Sequence, residues 1–222
     1  MLKVSPSGFV AAIATCALLA GGPAAGAQPS CPPRPDESYQ GEMRFTVQSR
    51  AGQLPVPVAD GVIDRNILPR LEAALDAFEG EEIWLRSSGG EVGVDREAGR
   101  LIRSRGLRTR IPPGWTCRGA CNFMFLGGII RAVDEGGLFI VQMFAHTGNL
   151  NDVAEVGRSS LRLATDDHRY LIQMGVSTRL LSDIMYREPA RVGAPGRCLT
   201  PEELSHYNVD TGRPFVGRSS SN

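Results

Sequence analysis

Lysine is almost absent from this chain, since Lys3 is the only one. Lysine and arginine together number 24, as do aspartate and glutamate, so the formal net charge is zero. The lack of a basic excess excludes nucleic acid and anionic lipid surfaces as predicted partners. Histidine is also scarce, at three in 222 residues, and the cysteines with His206 match no common zinc spacing. We therefore expect no metal and no cofactor.

Long apolar runs are missing too. The one apolar stretch, Phe9 to Leu19, is shorter than the roughly 20 residues that a membrane span needs. Together with Lys3 before it and Ala25-Gly26-Ala27 after it, this stretch predicts a secretory signal peptide over residues 1–27. The residue before Cys16 is a threonine, which is a poor context for lipidation, so we do not expect a lipoprotein. The mature chain is predicted to lack a membrane span and to be periplasmic or secreted.

Cysteines are few but even in number after the leader. An even count in an exported protein suggests disulfide bonds. Four cysteines allow three pairings, and the sequence leaves the choice open. In one of these pairings, Cys117 bonds to Cys121 and closes a very small loop. Cys31 then bonds to Cys198 and ties the N-terminal segment to the C-terminal part. The four candidates are Cys31, Cys117, Cys121 and Cys198.

One domain is predicted over residues 41–210, after a Pro-rich lead-in at 28–40 and before a disordered tail at 211–222. Short apolar strands alternate there with helices of 10–15 residues, which indicates βαβ units, a largely parallel sheet and an α/β fold. The predicted strands cover 43–48, 62–63, 82–86, 107–111, 129–133 and 138–144. The predicted helices cover 66–78, 94–105, 119–125, 152–174 and 177–187, with a last one capped by Thr200.

Two short motifs stand out within this domain. The first is Ser87-Ser88-Gly89-Gly90, a glycine turn between a buried strand and a helix. The second is Cys117-Arg118-Gly119-Ala120-Cys121, which opens another helix that leads into Phe125-Leu126-Gly127-Gly128. With their spacing, the two motifs resemble the active-site frame of the ClpP/crotonase-like superfamily, in particular periplasmic proteins related to ClpP peptidases. The resemblance covers residues 41–210, and it implies stacked βαβ units with C-terminal helices in a single domain.

The resemblance also implies a site. In ClpP-like peptidases the Gly-Gly turn supplies backbone N–H groups to an oxyanion hole, and the nucleophile lies at the start of the second helix. Carried over to this chain, the binding residues would be Ser88, Gly89, Gly90, Gly119 and Ala120. Many members of the superfamily oligomerise through their helices, so a homo-oligomer is one assembly that the resemblance implies.

The residues that would do the chemistry are absent. Gly119 stands where the family has its nucleophilic serine, and Val141 stands where the family has a histidine in an apolar-His-Gln context. The region of the third triad member, residues 185–200, offers Glu188 but no aspartate. No serine occurs between Ser104 and Ser159, so a shift of the alignment supplies no nucleophile. The sequence therefore predicts a ClpP-like fold that has lost Ser/His/Asp chemistry.

Besides a mainly structural or assembly role, two functions remain open at this point. The first is a non-catalytic protein that binds a peptide or a protein partner in the former active-site cleft. The second is an atypical peptidase or acyl hydrolase, with Cys121 as nucleophile, His146 as its base, and Gly89 and Gly90 in the oxyanion hole. The plainer interpretation of this pair is that Cys121 is half of a disulfide and that His146 lies on a surface loop.

Overall fold

The structure is a computed structural model that describes residue 31 and residues 41–50, 53–78, 80–143, 152–188 and 196–212. The predicted leader, most of the Pro-rich lead-in, the tail beyond residue 212 and His146 lie outside these ranges. The described residues form one mixed α/β domain around one main hydrophobic core. The predicted fold class, α/β in a single domain, is confirmed.

The first sheet has five strands in the order β1-β2-β3-β4-β6. Its strands are β1 (Arg44–Arg50), β2 (Gln53–Asp60), β3 (Glu82–Arg86), β4 (Arg108–Ile111) and β6 (Arg131–Val133). Strands β2, β3, β4 and β6 run parallel, and β1 pairs antiparallel with β2. The predicted largely parallel sheet is therefore confirmed, with one antiparallel hairpin added at its edge.

A second, smaller sheet holds β5 (Thr116–Arg118), β7 (Leu138–Val141) and β8 (Arg197–Cys198), in the order β5-β7-β8. Strands β4 and β6 of the first sheet are each followed within a few residues by a strand of this second sheet, and only then by a helix. The repeating unit in this half of the chain is thus strand, strand, helix. The sequence predicted simple βαβ units. It predicted β7 within a strand over 138–144 but missed β5, because three residues carry too little periodicity to be separated from a loop.

The helices are α1 (Ile67–Asp76), α2 (Val94–Ser104), α3 (Ala120–Leu126), α4 (Val153–Met174), α5 (Arg179–Asp183) and α6 (Pro201–His206). None of them combines the length and the hydropathy of a membrane span. The capping signal at Thr200 is confirmed, because its hydroxyl accepts from the Glu203 N–H while the Glu203 carboxylate accepts from the Thr200 N–H. The helix predicted over 177–187 is shorter than expected and gives way to a 3₁₀ turn at Met185–Arg187.

The sequence analysis missed strand β2, and the extended piece that it predicted at Val62 and Ile63 forms isolated bridges to Glu42 and Gly90. Pro55 and Pro57 lie within the strand, and proline is normally confined to sheet edges. The parallel partner β3 pairs only with Val58 to Asp60, so the prolines stand where one side of β2 has no partner strand. The strand therefore tolerates them.

Two disulfide bonds join Cys31 to Cys198 and Cys117 to Cys121, with Cα–Cα distances of 5.2 Å in both pairs. This is one of the three pairings that the sequence left open. The first bond brings the N-terminal segment against Leu138 and Ile140 of the second sheet. The second bond joins two cysteines that are four positions apart in the sequence, at the start of α3.

Arg131 is the largest of the fully buried side chains, at 2 % exposure. Its guanidinium donates to the Gly128 carbonyl at 3.1 Å, the Met174 carbonyl at 3.1 Å, the Asn208 carbonyl at 2.8 Å and the Val209 carbonyl at 2.9 Å. The Met174 carbonyl belongs to the last residue of α4, and the other three carbonyls lie just beyond the ends of α3 and α6. Arg131 thus joins the C-terminal ends of three helices. Burial lowers the pKa of Arg131 to about 10, so the side chain remains a cation near neutral pH.

Candidate functional site

The first motif forms a tight turn at the end of β3. Ser87 bridges to β5, since its N–H donates to the Thr116 carbonyl at 2.9 Å and its carbonyl accepts from the Arg118 N–H at 3.1 Å. The Ser87 side chain is fully buried, and its hydroxyl accepts from the Gly89 N–H at 3.1 Å. This serine is a turn residue in the structure and faces away from solvent.

The two glycines of this turn adopt positive φ angles, +106° at Gly89 and +147° at Gly90. Both positions are also crowded by backbone. A Cβ on Gly89 would lie 2.9 Å from the Arg118 carbonyl oxygen, and a Cβ on Gly90 would lie 2.0 Å from the Ile63 carbonyl oxygen. Only glycine fits here, because it alone combines these φ angles with so close a backbone approach.

The Gly90 N–H is the donor that this turn leaves free. The Gly89 N–H already bonds to the Ser87 hydroxyl, whereas no acceptor within the described residues meets the Gly90 N–H. Gly90 is also exposed, while Gly89 is buried. Of the two N–H groups that the resemblance assigns to an oxyanion hole, one is thus committed within the turn and one is open to a ligand.

We predict that the close approach at Gly90, and not its φ angle alone, makes glycine necessary. Gly93 offers a matched control three residues later, since its φ is +104° and a Cβ there would meet nothing within 4 Å. Gly93→Ala should cost about 1–3 kcal/mol for backbone strain. Gly90→Ala adds a backbone clash, so we expect a clearly larger loss in the free energy of unfolding, measured by urea titration. Equal losses in the two variants would show that the approach to Ile63 is unimportant.

The second motif is a strand-to-helix turn that carries Gly119. Its backbone has φ +58° and ψ −118°, a strained conformation that favours glycine. The Gly119 N–H donates to the Ile140 carbonyl at 3.3 Å, and α3 begins at the next residue, Ala120. Sharp strand-to-helix turns of this kind present nucleophiles in hydrolases. In this chain the residue at the turn is Gly119, so no side chain projects from it.

The space beside Gly119 is filled by Gln142. A Cβ on Gly119 would lie 3.1 Å from the amide nitrogen of Gln142. The Gln142 amide oxygen accepts from Arg118 Nε at 2.7 Å, and Arg118 is only 8 % exposed. The amide is therefore held in place over the position from which a nucleophile would project.

Val141 does not face this site. Its side chain is fully buried and belongs to the main hydrophobic core. The side chain opposite Gly119 is that of the next residue, Gln142, because neighbouring residues at a strand end point to opposite faces. Sequence reasoning did not select Gln142 as a site residue. All four residues of β7 are apolar and buried, so the sequence carried no alternation that would have marked Gln142.

A second amide, that of Asn122, lies beneath the turn. Its side-chain nitrogen donates to the Ile140 carbonyl at 2.8 Å, and it is 1 % exposed. The Ile140 carbonyl thus accepts from both Gly119 and Asn122, which fixes α3 against β7. Within the described residues the Asn122 oxygen has no hydrogen-bond partner.

The sulfur atoms of Cys117 and Cys121 form a disulfide that spans the Gly119 turn, and both residues are fully buried. A disulfide-bonded Cys121 has no thiol to ionise and no path to a substrate without reduction. Its predicted base, His146, lies outside the described residues, so their pairing stays a prediction. The described residues contain no group of three or more His, Cys, Asp or Glu side chains that could hold a metal ion.

Comparisons with known proteins add a fold-level likeness. No protein-family model and no curated protein matches the chain. Among solved structures, a variant of 1510-N, a membrane-bound stomatin-specific protease, has a TM-score of 0.49 at 16 % identity, covering 69 % of this chain and 75 % of its own. Another variant of that protease, in complex with a substrate peptide, has a TM-score of 0.48 at 15 % identity, with coverages of 69 % and 71 %.

A probable enoyl-CoA hydratase/isomerase from Mycobacterium abscessus has a TM-score of 0.43 at 11 % identity, covering 75 % of this chain and 67 % of its own. All these TM-scores are below 0.5, so the fold assignment rests on the chain's own topology. Parallel strands with following helices, a second small sheet, and a Gly-Gly turn packed against a helix-opening glycine carry that assignment. The chain has a mixed α/β fold, with these two glycine turns at its candidate site.

Proposed function

We propose that this chain is an exported protein that binds an extended peptide or protein segment between the Gly89–Gly90 turn and the Arg118–Gly119 turn, without cleaving it. The observation that carries this proposal is the Gln142 amide, fixed by Arg118 over a Gly119 that has no side chain. The two turns are those that the resemblance assigns to a hydrolase site, and a hydrogen-bonding amide lies where a nucleophile would project.

The groups left open in the cleft suit a peptide backbone. The Gly90 N–H offers a donor to a carbonyl oxygen, and no acceptor within the described residues meets the Gln142 amide nitrogen. Extended segments bind by such main-chain hydrogen bonds, which give affinity without a deep pocket. Neither group can take a proton from a nucleophile or attack a carbonyl carbon, so binding without turnover follows.

Export is supported by two independent features. The leader pattern over residues 1–27 is typical of a secretory signal, and both disulfide bonds are of the kind that forms and persists in oxidising compartments. The periplasm, or the medium beyond it, is therefore the compartment that we propose.

The hydrolase that uses Cys121 remains the second candidate function. It requires reduction of the Cys117–Cys121 bond, and it requires a buried sulfur to reach a substrate. The geometry around Gly119 favours the binding function, because the intact disulfide is part of the turn that shapes the cleft.

Binding is tested by fluorescence anisotropy with fluorescein-labelled, carboxymethylated casein, an unfolded protein rich in extended segments. We expect saturable binding by the exported protein and at least a tenfold loss in Gln142→Trp, whose indole fills the cleft. Gln173→Trp makes the same change on the exposed face of α4 and should leave the affinity unchanged. Equal affinity in both variants would place the ligand elsewhere and contradict the proposed site.

A further inference from the structure

The first sheet has an open edge at β1. At the opposite edge, β6 is covered by the C-terminal segment, since the Thr211 and Gly212 N–H groups donate to the Arg131 carbonyl. Among the described residues, no segment covers β1 in this way. Arg44, Thr46, Val47, Gln48 and Ser49 are all exposed, and Val47 is 60 % exposed. An exposed edge strand presents unpaired N–H and carbonyl groups, which form a template for another strand.

Strand β1 pairs regularly with β2 over only a short stretch of residues. The ladder between β1 and β2 is regular from Arg44 to Gln48 and shifts register after Gln48. Thr46 is the middle residue of that stretch. Protection by lysine or proline, which natural edge strands often carry, is absent from β1.

We propose that β1 pairs antiparallel with β1 of a second copy of this chain, about a two-fold axis at Thr46, which joins the two five-stranded sheets. In this register Thr46 lies opposite Thr46 of the second copy, Phe45 opposite Val47, and Arg44 opposite Gln48. Threonine pairs and aromatic–β-branched pairs are among the favourable cross-strand pairs. The exposed Val47 side chain gains an apolar neighbour, and no like charges meet.

Other registers fit less well. An axis at Val47 would place Phe45 opposite Ser49, which loses the aromatic–β-branched pair. An axis at Phe45 would pair two side chains that already pack partly against the protein's own core. The sequence of the strand thus selects Thr46 as the centre. The inference is independent of what the cleft binds.

Register-specific crosslinking tests this interface. Residues opposite each other in an antiparallel pair have Cα atoms about 4.5–5.5 Å apart, which lies within the disulfide range of about 4.4–6.8 Å. Thr46→Cys should therefore form an intermolecular disulfide under mild oxidation, visible as a dimer in non-reducing electrophoresis. In Gln48→Cys the two new cysteines would stand four positions apart, roughly 13 Å, and should not crosslink. The unsubstituted chain provides the baseline.

A second variant tests the proposed strand register by changing Val47, the residue next to Thr46. Thr46→Cys combined with Val47→Lys loses the apolar pair, and we expect its crosslinking rate to fall at least tenfold. The exposed position of Val47 makes this change harmless to folding. Absence of the Thr46→Cys dimer, equal crosslinking by Gln48→Cys, or an unchanged rate in the double variant would each overturn the proposal. Efficient crosslinking by Leu161→Cys on the exposed part of α4, without any at Thr46→Cys, would move the interface to that helix and overturn it as well.

Discussion

Replacing Arg131 with methionine should destabilise the protein by about 3 kcal/mol or more, because the change removes the side-chain donor to the Met174, Asn208 and Val209 carbonyls, whereas the Gly128 carbonyl keeps a second donor in Arg103. Each buried carbonyl left without a donor costs about 1–3 kcal/mol. Methionine has a similar length and keeps the packing, so the loss reports the hydrogen bonds. The measurement is the free energy of unfolding from urea titration followed by circular dichroism.

Two further variants separate charge from geometry at this position. Arg131→Lys keeps the positive charge but offers an ammonium in place of the planar fork, so its stability should lie between wild type and Arg131→Met. Arg108→Met removes an exposed arginine from the neighbouring strand β4 and should change the stability by less than about 0.5 kcal/mol. A loss of less than about 1 kcal/mol in Arg131→Met would show that the helix ends find other partners.

The second large effect is expected between α2 and the C-terminal half of α4, where Arg96 and Asp167 form a buried ion pair at 2.7 Å. Asp95, the residue before Arg96, is fully buried as well. Arg96→Met would leave two carboxylates near each other without a cation, and breaking a buried pair in this way costs about 3–5 kcal/mol. Arg100→Met removes an exposed arginine one turn later on α2 and is the control.

The effect of Arg96→Met should depend on pH. Burial raises the pKa of Asp167 to about 7 against the attraction of Arg96, and burial raises the pKa of Asp95 to about 6. Both values lie above the unfolded value of 3.8, so the folded state binds more protons and stability falls as pH rises from about 4 to about 7. At pH 5.5 both carboxyls are largely neutral, and the loss in Arg96→Met should be smaller than at pH 8. The same loss at both pH values would contradict this assignment.

Much of the fold follows from local signals that the sequence carries in full. Helices α1, α2 and α4 carry apolar residues at helical spacing over several turns, and α6 has a complete capping box. Their positions could therefore be predicted. The strands of the second sheet could not be recognised as a sheet. Strand β7 was predicted, but β5 has only three residues and β8 only two, and segments so short look like loops until their partners are known.

The candidate site divides in the same way. The Gly-Gly turn and Gly119 could be found because glycine in such a pattern marks a backbone constraint. Gln142 could not, because its role depends on which face of β7 meets α3, and that is a long-range contact. Arg131 was also unpredictable, since an arginine in a strand is normally taken as exposed, and its carbonyl partners come from distant parts of the chain.

Binding without cleavage is the central claim, and peptide hydrolysis tests it most directly. The exported protein is incubated with fluorescein-labelled, carboxymethylated casein, with and without a reductant, and new N-termini are counted by mass spectrometry. We predict a bound complex and no new N-termini in either condition, because neither Gly119 nor Gln142 can act as a nucleophile. Catalytic turnover that appears on reduction and disappears in Cys121→Ala would contradict the claim and identify the chain as a cysteine-dependent hydrolase.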